Sequence, residues 1–283
     1  PLLQQATVAI EDDKFYSHGG FDVPAIGRAV IYEVFSIGKP RGGSTITQQL
    51  AKNAFLSTKR AYSRKLRELI LSVRLEQSYD KDKILELYLN RIPYGNNAYG
   101  AEMASKIYFA KNARNLTLAE SAIVASLPKA PTYYSPFGPN VYSKLERTFS
   151  SEELKIKIPK TAADLQNTDY TMGLVGKTVA LSPTANIYLP GRTNLVLNRM
   201  DALGLITDEE KTSAEIDLSR MNFQRKEAIQ SAAHFVFYIR SLLEDQFGKD
   251  VVAAGGLKVY TTLDPKLQEF AEKTISEQIK KSK

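Results

Sequence analysis

The sequence predicts a mainly α-helical fold, and three observations support this prediction. Apolar residues recur every three to four positions across 63–79, which is the spacing of one helix face. Thr117 followed by Glu120 matches a capping box, the paired signal for the start of a helix. The alternation that is typical of a strand is confined to one short stretch, 255–264.

The first two predicted helices are strongly apolar. Residues 2–10 form the first, which ends at the carboxylate of Glu11. Asp22 is a suitable cap for the second, 23–37, and Pro24 is tolerated in its first turn. Because the second helix is apolar on nearly every face, it is either a core helix or one that touches a membrane.

The next predicted helices begin at polar caps. After a loop rich in glycine and proline, Ser44 or Thr45 begins a helix of about ten residues. The long helix over 63–79 follows it. Asp80 then begins a helix over 81–90, and the capping box begins the next one.

Residues 140–190 differ from the helical stretches on either side, because they are polar and show no strong period. We expect a solvated insertion that carries little core. Helical patterns return in 191–206 and 207–216. We place a domain boundary at residue 222, so that residues 1–221 form one domain.

The predicted second part, 222–283, is a small α+β segment. Residues 234–248 are a helix candidate, and 255–264 alternate as a strand does after a glycine pair. An amphipathic helix then begins after Asp264 and continues over 265–281.

Composition limits the kinds of site that the chain can hold. Its 283 residues include no cysteine, which excludes disulfides and thiolate metal sites. The formal net charge of +7 favours phosphate-bearing partners, namely nucleic acid, anionic lipid head groups or pyrophosphates. No uncharged apolar run reaches the roughly 18 residues that span a bilayer, so we expect any membrane anchor to precede Pro1.

Four clusters carry side chains that are suited to catalysis, and the fourth, residues 84–90, contains Glu86, Tyr88 and Asn90. The first joins Glu11 and Asp12 to Phe15 and His18, although a lone histidine is most often structural. Glu11 follows an apolar helix, and an apolar wall makes a carboxylate a stronger base. Glu11 is therefore a candidate general base.

The second cluster is a candidate phosphate cradle. A glycine pair precedes Ser44 and Thr45, and the free N–H groups of the helix start suit an anion. Gln48 and Lys52 are four positions apart and share a helix face, with Asn53 beside them. The spacing is not that of a P-loop, and a capped helix after a loop explains the same residues without a ligand.

The third cluster contains Arg64, Lys65 and Glu68. A surface ion pair between Arg64 and Glu68 is the simpler interpretation, although this order of charges is the weaker one on a helix. Two acids beside a cationic cradle indicate glycosyl transfer from a phosphate-linked sugar. One carboxylate would activate the acceptor hydroxyl, and the cations would stabilise the departing pyrophosphate.

Five ordered motifs resemble those of the peptidoglycan glycosyltransferases, family 51. They are EDDKFYSHGGFD, RGGSTITQQLAKN, RKLRELILSVRLE, KILELYLNRIPYG and RTNLVLNRM, and the match covers 1–139 and 191–215. This family provides the N-terminal catalytic module of class A penicillin-binding proteins and also the monofunctional transglycosylases. The resemblance implies a lysozyme-like large lobe and a small jaw lobe that faces the membrane, with the apolar helix 23–37 in the jaw.

The resemblance also implies a role for each matching residue. The family polymerises lipid II with inversion at the anomeric carbon and releases undecaprenyl pyrophosphate. Glu11 would be the general base on the acceptor 4-hydroxyl. Glu68 would assist the leaving group, directly or through a divalent cation such as Mg²⁺ or Mn²⁺, and Arg192 would be structural. The remaining predicted site residues would bind substrate: Asp12, Phe15, His18, Ser44, Thr45, Gln48, Lys52, Asn53, Arg64 and Lys65.

The implied partners are lipid II, the growing glycan strand, the membrane surface and cell-wall synthesis proteins, with no nucleic acid and no organic cofactor. The implied location is the outer face of a bacterial cell membrane. The resemblance also gives the polar stretch 140–190 an alternative role, as a surface for partner proteins or for the growing strand.

Two alternative functions remain open. A lysozyme-like lytic enzyme would cleave finished glycan, but it would not need the cations Lys52, Arg64 and Lys65. A non-catalytic scaffold that binds lipid II would not need both acids. Two S-x-x-K sequences, at 78–81 and 126–129, lack the partner motifs of a transpeptidase, and we interpret them as chance.

Overall fold

Helices dominate the structure, as the sequence predicts. The computed structural model describes residues 1–20, 44–55, 62–223, 232–248, 251–252, 257 and 259–281. Within the first of two structural units, residues 1–223, the described helices are α1 (Leu2–Glu11), α2 (Ile46–Phe55), α3 (Tyr62–Ser78), α4 (Lys81–Arg91), α5 (Ala101–Phe109), α6 (Leu118–Ser126), α7 (Ser151–Ile156), α8 (Arg192–Ala202) and α9 (Asp208–Arg220). The predicted apolar helix 23–37 lies outside the described residues.

Three predicted helix caps are confirmed. The hydroxyl oxygen of Thr45 accepts a 3.2 Å bond from a backbone N–H in the first turn of α2. The carboxylate of Asp80 does the same for α4 at 2.8 Å. Thr117 and Glu120 form the complete capping box at the start of α6. Each cap satisfies N–H groups that have no partner within the helix, and so it determines where the helix begins.

The core of the first unit is built around α1 and α6. Helix α6 is buried from Ala119 to Ser126, and α1 packs against both α6 and α8. Small residues of α1, such as Ala6 and Ala9, are almost fully buried. Helix α2 packs separately on α3 and α4. This arrangement brings the end of α1, with Glu11, close to the beginning of α8.

The stretch 140–190 contains all four strands of the described residues. Strand β1 (Lys144–Leu145) pairs antiparallel with β2 (Tyr170–Thr171), and β3 (Lys177–Ser182) pairs antiparallel with β4 (Ala185–Leu189). Apolar side chains of the β3–β4 hairpin form a small core with those of α7 and its flanking loops. This part of the chain therefore has tertiary structure of its own.

The expectation that 140–190 carries little core is wrong. Leu174 and Val175 are buried in the main core of the first unit. The Arg192 N–H donates to the Gly173 carbonyl at 2.9 Å, and the Thr193 hydroxyl donates to the Leu174 carbonyl at 3.0 Å. The sequence pattern did not reveal this contact, because two adjacent apolar residues are too few to establish a period.

Replacing Leu174 with alanine should lower the free energy of unfolding of the first unit by about 2–5 kcal/mol, since a fully buried leucine leaves a cavity. Ile156, which is 88% exposed in the same stretch, provides a matched control. We expect Ile156→Ala to change the stability by less than about 0.5 kcal/mol. Urea denaturation of the two variants measures both values. Equal effects would show that Leu174 does not belong to the main core.

The second unit, 224–283, contains α10 (Ala233–Phe247) and α11 (Pro265–Lys281). The carboxylate of Asp264 accepts a 2.9 Å bond from the Lys266 N–H, so α11 begins where the sequence predicts.

The strand predicted over 255–264 is not formed by the described residues 259–264, which have no strand partner there. Alternation alone does not make a strand, because its backbone groups need a neighbouring strand to pair with. The assignment of 1–221 and 222–283 as functional domains stays a prediction.

Candidate active site

The carboxylate of Glu11 lies in the last turn of α1 and is held on both of its oxygens. The Gln49 amide in α2 donates to Oε2 at 2.9 Å, and the Arg192 guanidinium in α8 donates to Oε1 at 3.3 Å. The Glu11 and Arg192 side chains are each only 10% exposed. Three helices therefore meet at this carboxylate, and two of them determine its direction.

A buried tyrosine determines the orientation of the Gln49 amide. The Tyr88 hydroxyl donates to Gln49 Oε1 at 3.1 Å, so the amide NH₂ group is directed toward Glu11. Burial raises the pKa of Tyr88 well above its usual range, and the Glu11 carboxylate raises it further. Burial and the same carboxylate also raise the pKa of Tyr94. Both phenols therefore stay neutral.

The apolar wall expected beside Glu11 stays a prediction, and the contacts seen at its carboxylate are hydrogen bonds. The apolar residues of α1, such as Leu3 and Ala6, are buried in the core. The last turn of α1 instead brings Glu11 to the polar groups of Gln49 and Arg192. The helix end leaves the core, and its terminal side chain reaches α2 and α8.

Arg192 contacts the candidate base directly, which the sequence did not predict. Its Nε donates to the Ser126 carbonyl at 2.9 Å, and its guanidinium lies 5.5 Å from the centre of the Tyr134 ring. Arg192 and Glu11 are 181 positions apart in the sequence. One sequence signal did exist, because a cation in the first turn of a helix meets the positive end of the helix dipole and needs a compensating partner.

The first cluster holds the turn that follows Glu11. The Asp12 carboxylate accepts a bond from the Ile46 N–H at 3.0 Å and lies 2.9 Å from His18 Nε2. Phe15 is fully buried, and the Lys81 ammonium lies 4.5 Å from the centre of its ring. Asp12 thus ties the end of α1 to the beginning of α2. Phe15 belongs to the main core of the first unit.

The second cluster lies at the beginning of α2, with one correction. The Thr45 hydroxyl donates to the Gly20 carbonyl at 2.8 Å. Gln48, which was predicted to share a binding face with Lys52, is only 2% exposed, and its Oε1 has no hydrogen-bond partner. Gln49 is the glutamine that contacts Glu11. A difference of one residue turns a helix by about 100°, which separates the two side chains.

Gln49, Lys52 and Asn53 line a pocket of about 190 Å³ with Ile92, Pro93, Pro128 and Pro131. Lys52 is exposed, and no carboxylate of the described residues forms an ion pair with it. The pocket therefore places the Lys52 ammonium and the Asn53 amide beside the glutamine that holds Glu11. Such donors suit an anionic ligand.

The third cluster surrounds Glu68, which is buried in α3. The Lys65 ammonium lies 2.5 Å from Glu68 Oε1 and 3.2 Å from the Ser44 hydroxyl. The Arg64 side chain lies outside the described part of the structure, so the partner that is seen for Glu68 is Lys65. No group of three or more acids or histidines among the described residues could hold a metal ion.

Helix α2 links the surroundings of the two acids. Gln49, within α2, holds Glu11, whereas Ser44, just before α2, accepts from the lysine that binds Glu68. One helix with its preceding residues thus joins the first and third clusters, which the linear sequence separates.

Each S-x-x-K sequence contains a side chain that is already engaged in another contact. Ser126 is buried, and its hydroxyl donates to the Ala122 carbonyl at 2.7 Å. Lys81, the lysine of the other sequence, forms an ion pair with Glu76 at 2.8 Å. These contacts agree with the interpretation that both matches are chance.

Comparison with known proteins gives the family. The family model described as transglycosylase matches residues 1–153, more than half of the chain. The chain belongs to the transglycosylase family. This membership confirms the predicted enzyme class of the module, peptidoglycan glycosyltransferase. The described helices of the first unit also confirm the predicted mainly α fold class.

Curated relatives of this transglycosylase are penicillin-binding proteins. Penicillin-binding protein 2D of Bacillus subtilis (strain 168) is 34% identical over 99% of this chain and 34% of its own length. Penicillin-binding protein 1A of Aquifex aeolicus (strain VF5) is 35% identical over 98% of this chain and 31% of its own. Penicillin-binding protein 1F of Bacillus subtilis (strain 168) is 48% identical over 47% of this chain and 19% of its own. The chain spans about a third of the length of the first two.

Among solved structures, penicillin-binding protein 1A from Haemophilus influenzae is 25% identical, with a TM-score of 0.35, over 71% of this chain and 20% of that one. The family assignment rests on the sequence matches and not on this superposition. No described helix of the transglycosylase combines the length and the apolar character needed to cross a membrane.

Proposed function

We propose that the chain polymerises lipid II into glycan strands by inverting glycosyl transfer, with Glu11 as the general base. One observation carries the proposal: Gln49 holds the Glu11 carboxylate, and the same residue lines a pocket whose exposed Lys52 has no described carboxylate partner. A base of fixed direction thus lies beside a cationic pocket. An enzyme that joins a sugar hydroxyl to a pyrophosphate-linked donor needs both.

In the proposed step, a Glu11 oxygen takes the proton of the acceptor 4-hydroxyl. The hydroxyl oxygen forms the new bond to the anomeric carbon of the donor, and the bond from that carbon to the pyrophosphate oxygen breaks. The leaving pyrophosphate keeps the electron pair. Gln49 and Arg192 hold the carboxylate in one direction while it acts. Orienting the base therefore adds little to the activation free energy.

The pocket residues would bind the departing group. Lys52 supplies a positive charge with which no carboxylate of the described residues pairs, and Asn53 supplies amide donors beside it. Charge on the pyrophosphate increases as the glycosidic bond breaks, so the Lys52 ammonium stabilises the transition state more than the ground state. The proposed donor subsite is therefore the pocket beside Gln49.

The Lys65–Glu68 pair would serve the same leaving group from the other end of α2. Lys65 is 59% exposed while its ammonium contacts buried Glu68. Glu68 and the Ser44 hydroxyl thus hold the Lys65 ammonium in a position that substrate can reach. The divalent cation implied by the resemblance stays a prediction. Glu68 already has a cationic partner, and the proposed step needs no other charge.

The substrate determines the proposed location. Lipid II carries an undecaprenyl chain, so the active site must work at a membrane surface, and we assign it to the outer face of the bacterial cell membrane. The net charge of +7 favours contact with anionic head groups. The growing glycan strand and cell-wall synthesis proteins are the proposed further partners.

Incubation of the purified chain with lipid II in detergent, followed by separation of the products by size, tests the proposal. We expect glycan polymer and no shortening of finished glycan that is offered separately. Shortened glycan would support a lytic enzyme instead. Binding of lipid II without any product would support a non-catalytic scaffold.

A further inference from the structure

Three consecutive carboxylates, Glu11, Asp12 and Asp13, lie at the end of α1 and just after it, and groups on other parts of the chain hold each of them. Gln49 and Arg192 hold Glu11, and the Ile46 N–H and His18 hold Asp12, as described above. The third carboxylate, Asp13, forms an ion pair with the Arg199 guanidinium in α8. The Asp13 and Arg199 side chains are 30% and 39% exposed, so this pair lies at the surface.

Helix α8 therefore reaches the Glu11–Asp13 segment at two points. Arg192 and Arg199 are seven positions apart, which is almost two full helical turns, so they project from nearly the same face. Their backbone positions are about 10 Å apart along the axis. One arginine contacts Glu11 and the other contacts Asp13, two residues further along the chain.

We propose that Arg199 is a positioning residue for Glu11, which it serves through Asp13. This inference rests on the proposed role of Glu11 as the base. No other hydrogen bond or ion pair joins residues 12–14 to α8 in the described part of the chain. The Asp13–Arg199 pair therefore fixes the turn after Glu11 against the helix that carries Arg192.

The geometry at Glu11 explains why the Asp13–Arg199 ion pair affects the position of its carboxylate. The Arg192–Glu11 contact, at 3.3 Å, is longer than the 2.7–2.9 Å that is usual for a hydrogen bond between charged groups. Arg192 itself is anchored to Ser126 and cannot follow the carboxylate if the turn moves. A small shift of the turn would therefore break the contact and release one oxygen of the base.

Removing either partner of the surface pair tests the inference. We expect Arg199→Ala and Asp13→Asn each to lower kcat for lipid II polymerisation about tenfold, because a displaced base reacts more slowly. The KM for lipid II should change less than about twofold in both variants. Arg199→Lys, which keeps the charge, should stay within about threefold of wild type. Wild-type kcat in both Arg199→Ala and Asp13→Asn would overturn the proposal.

The matched control breaks another ion pair of the same helix. Asp201 in α8 binds the Lys211 ammonium at 2.9 Å and has a similar exposure, 31%. We expect Asp201→Asn to leave kcat unchanged and to shift the thermal unfolding midpoint as much as Arg199→Ala does. An equal loss of kcat in Asp201→Asn would mean that α8 is merely loosened, which contradicts a specific role for Arg199.

A crystal structure of Arg199→Ala tests the positioning without any turnover. We expect the Glu11 carboxylate to move beyond hydrogen-bond distance of Arg192, and an unchanged contact would overturn the inference. Failure of the wild-type chain to polymerise lipid II would instead refute the proposed function. The two failures are thus distinguishable.

Discussion

Glu11→Gln is expected to lower the rate of lipid II polymerisation by about 10²–10⁴-fold, the usual contribution of a general base. Glutamine has nearly the same shape as glutamate, but its amide cannot accept the proton of the acceptor hydroxyl. The substitution also removes the negative charge that pairs with Arg192. Binding of lipid II should stay close to wild type, because the pocket beside Gln49 is unchanged.

The measurement is kcat for polymer formation together with the dissociation constant for lipid II. Glu209→Gln, the same chemical change on the exposed surface of α9, is the control and should behave as wild type. Activity of Glu11→Gln within about tenfold of wild type would rule out the role of general base. If affinity for lipid II decreases by as large a factor as kcat, Glu11 acts in substrate binding and not as the general base.

Replacement of Arg192 should give the second-largest effect, on both stability and rate. Arg192→Ala removes one partner of a nearly buried ion pair, and such a loss typically costs about 3–5 kcal/mol of folding free energy. Gln49 still holds the other oxygen of Glu11, so we expect the lower end of this range. The rate should decrease about 100-fold, since a poorly placed base loses alignment with the acceptor hydroxyl.

Two further variants separate the stability effect from the catalytic effect. Arg192→Lys keeps the positive charge but cannot reproduce both guanidinium bonds, to Ser126 and to Glu11, so it should lose rate with less loss of stability. The double variant Glu11→Gln with Arg192→Ala should be destabilised less than the sum of the single variants, because no unpaired charge remains. Strict additivity in urea denaturation would show that the two residues do not interact.

Features that depend on near neighbours in the chain could be predicted from the sequence. The caps of α2, α4 and α6 are examples, because a capping side chain bonds an N–H only two or three residues away. The position of Glu11 at the end of α1 is another. The five motifs also indicated the family, since their order and spacing lie in the linear sequence.

Predictions about which side of a helix faces the site were less secure. The sequence placed Gln48 in the binding face, whereas Gln49 is the residue that contacts Glu11. Both lie in the same helix, and only the packing of α2 on its neighbours determines which one is buried. Glu68 contacts Lys65, and the pairing with Arg64 stays a prediction because the Arg64 side chain lies outside the described residues.

The sequence by itself determined most of the helices, although not α5 or α7, together with the enzyme class and the two candidate acids, because these follow from local patterns. Only the tertiary structure decided that Arg192 and Gln49 hold Glu11, that Leu174 belongs to the main core, and that Asp13 pairs with Arg199. These contacts join residues that are tens to hundreds of positions apart. Helical periodicity relates only residues within a few turns, so it contains no information about them.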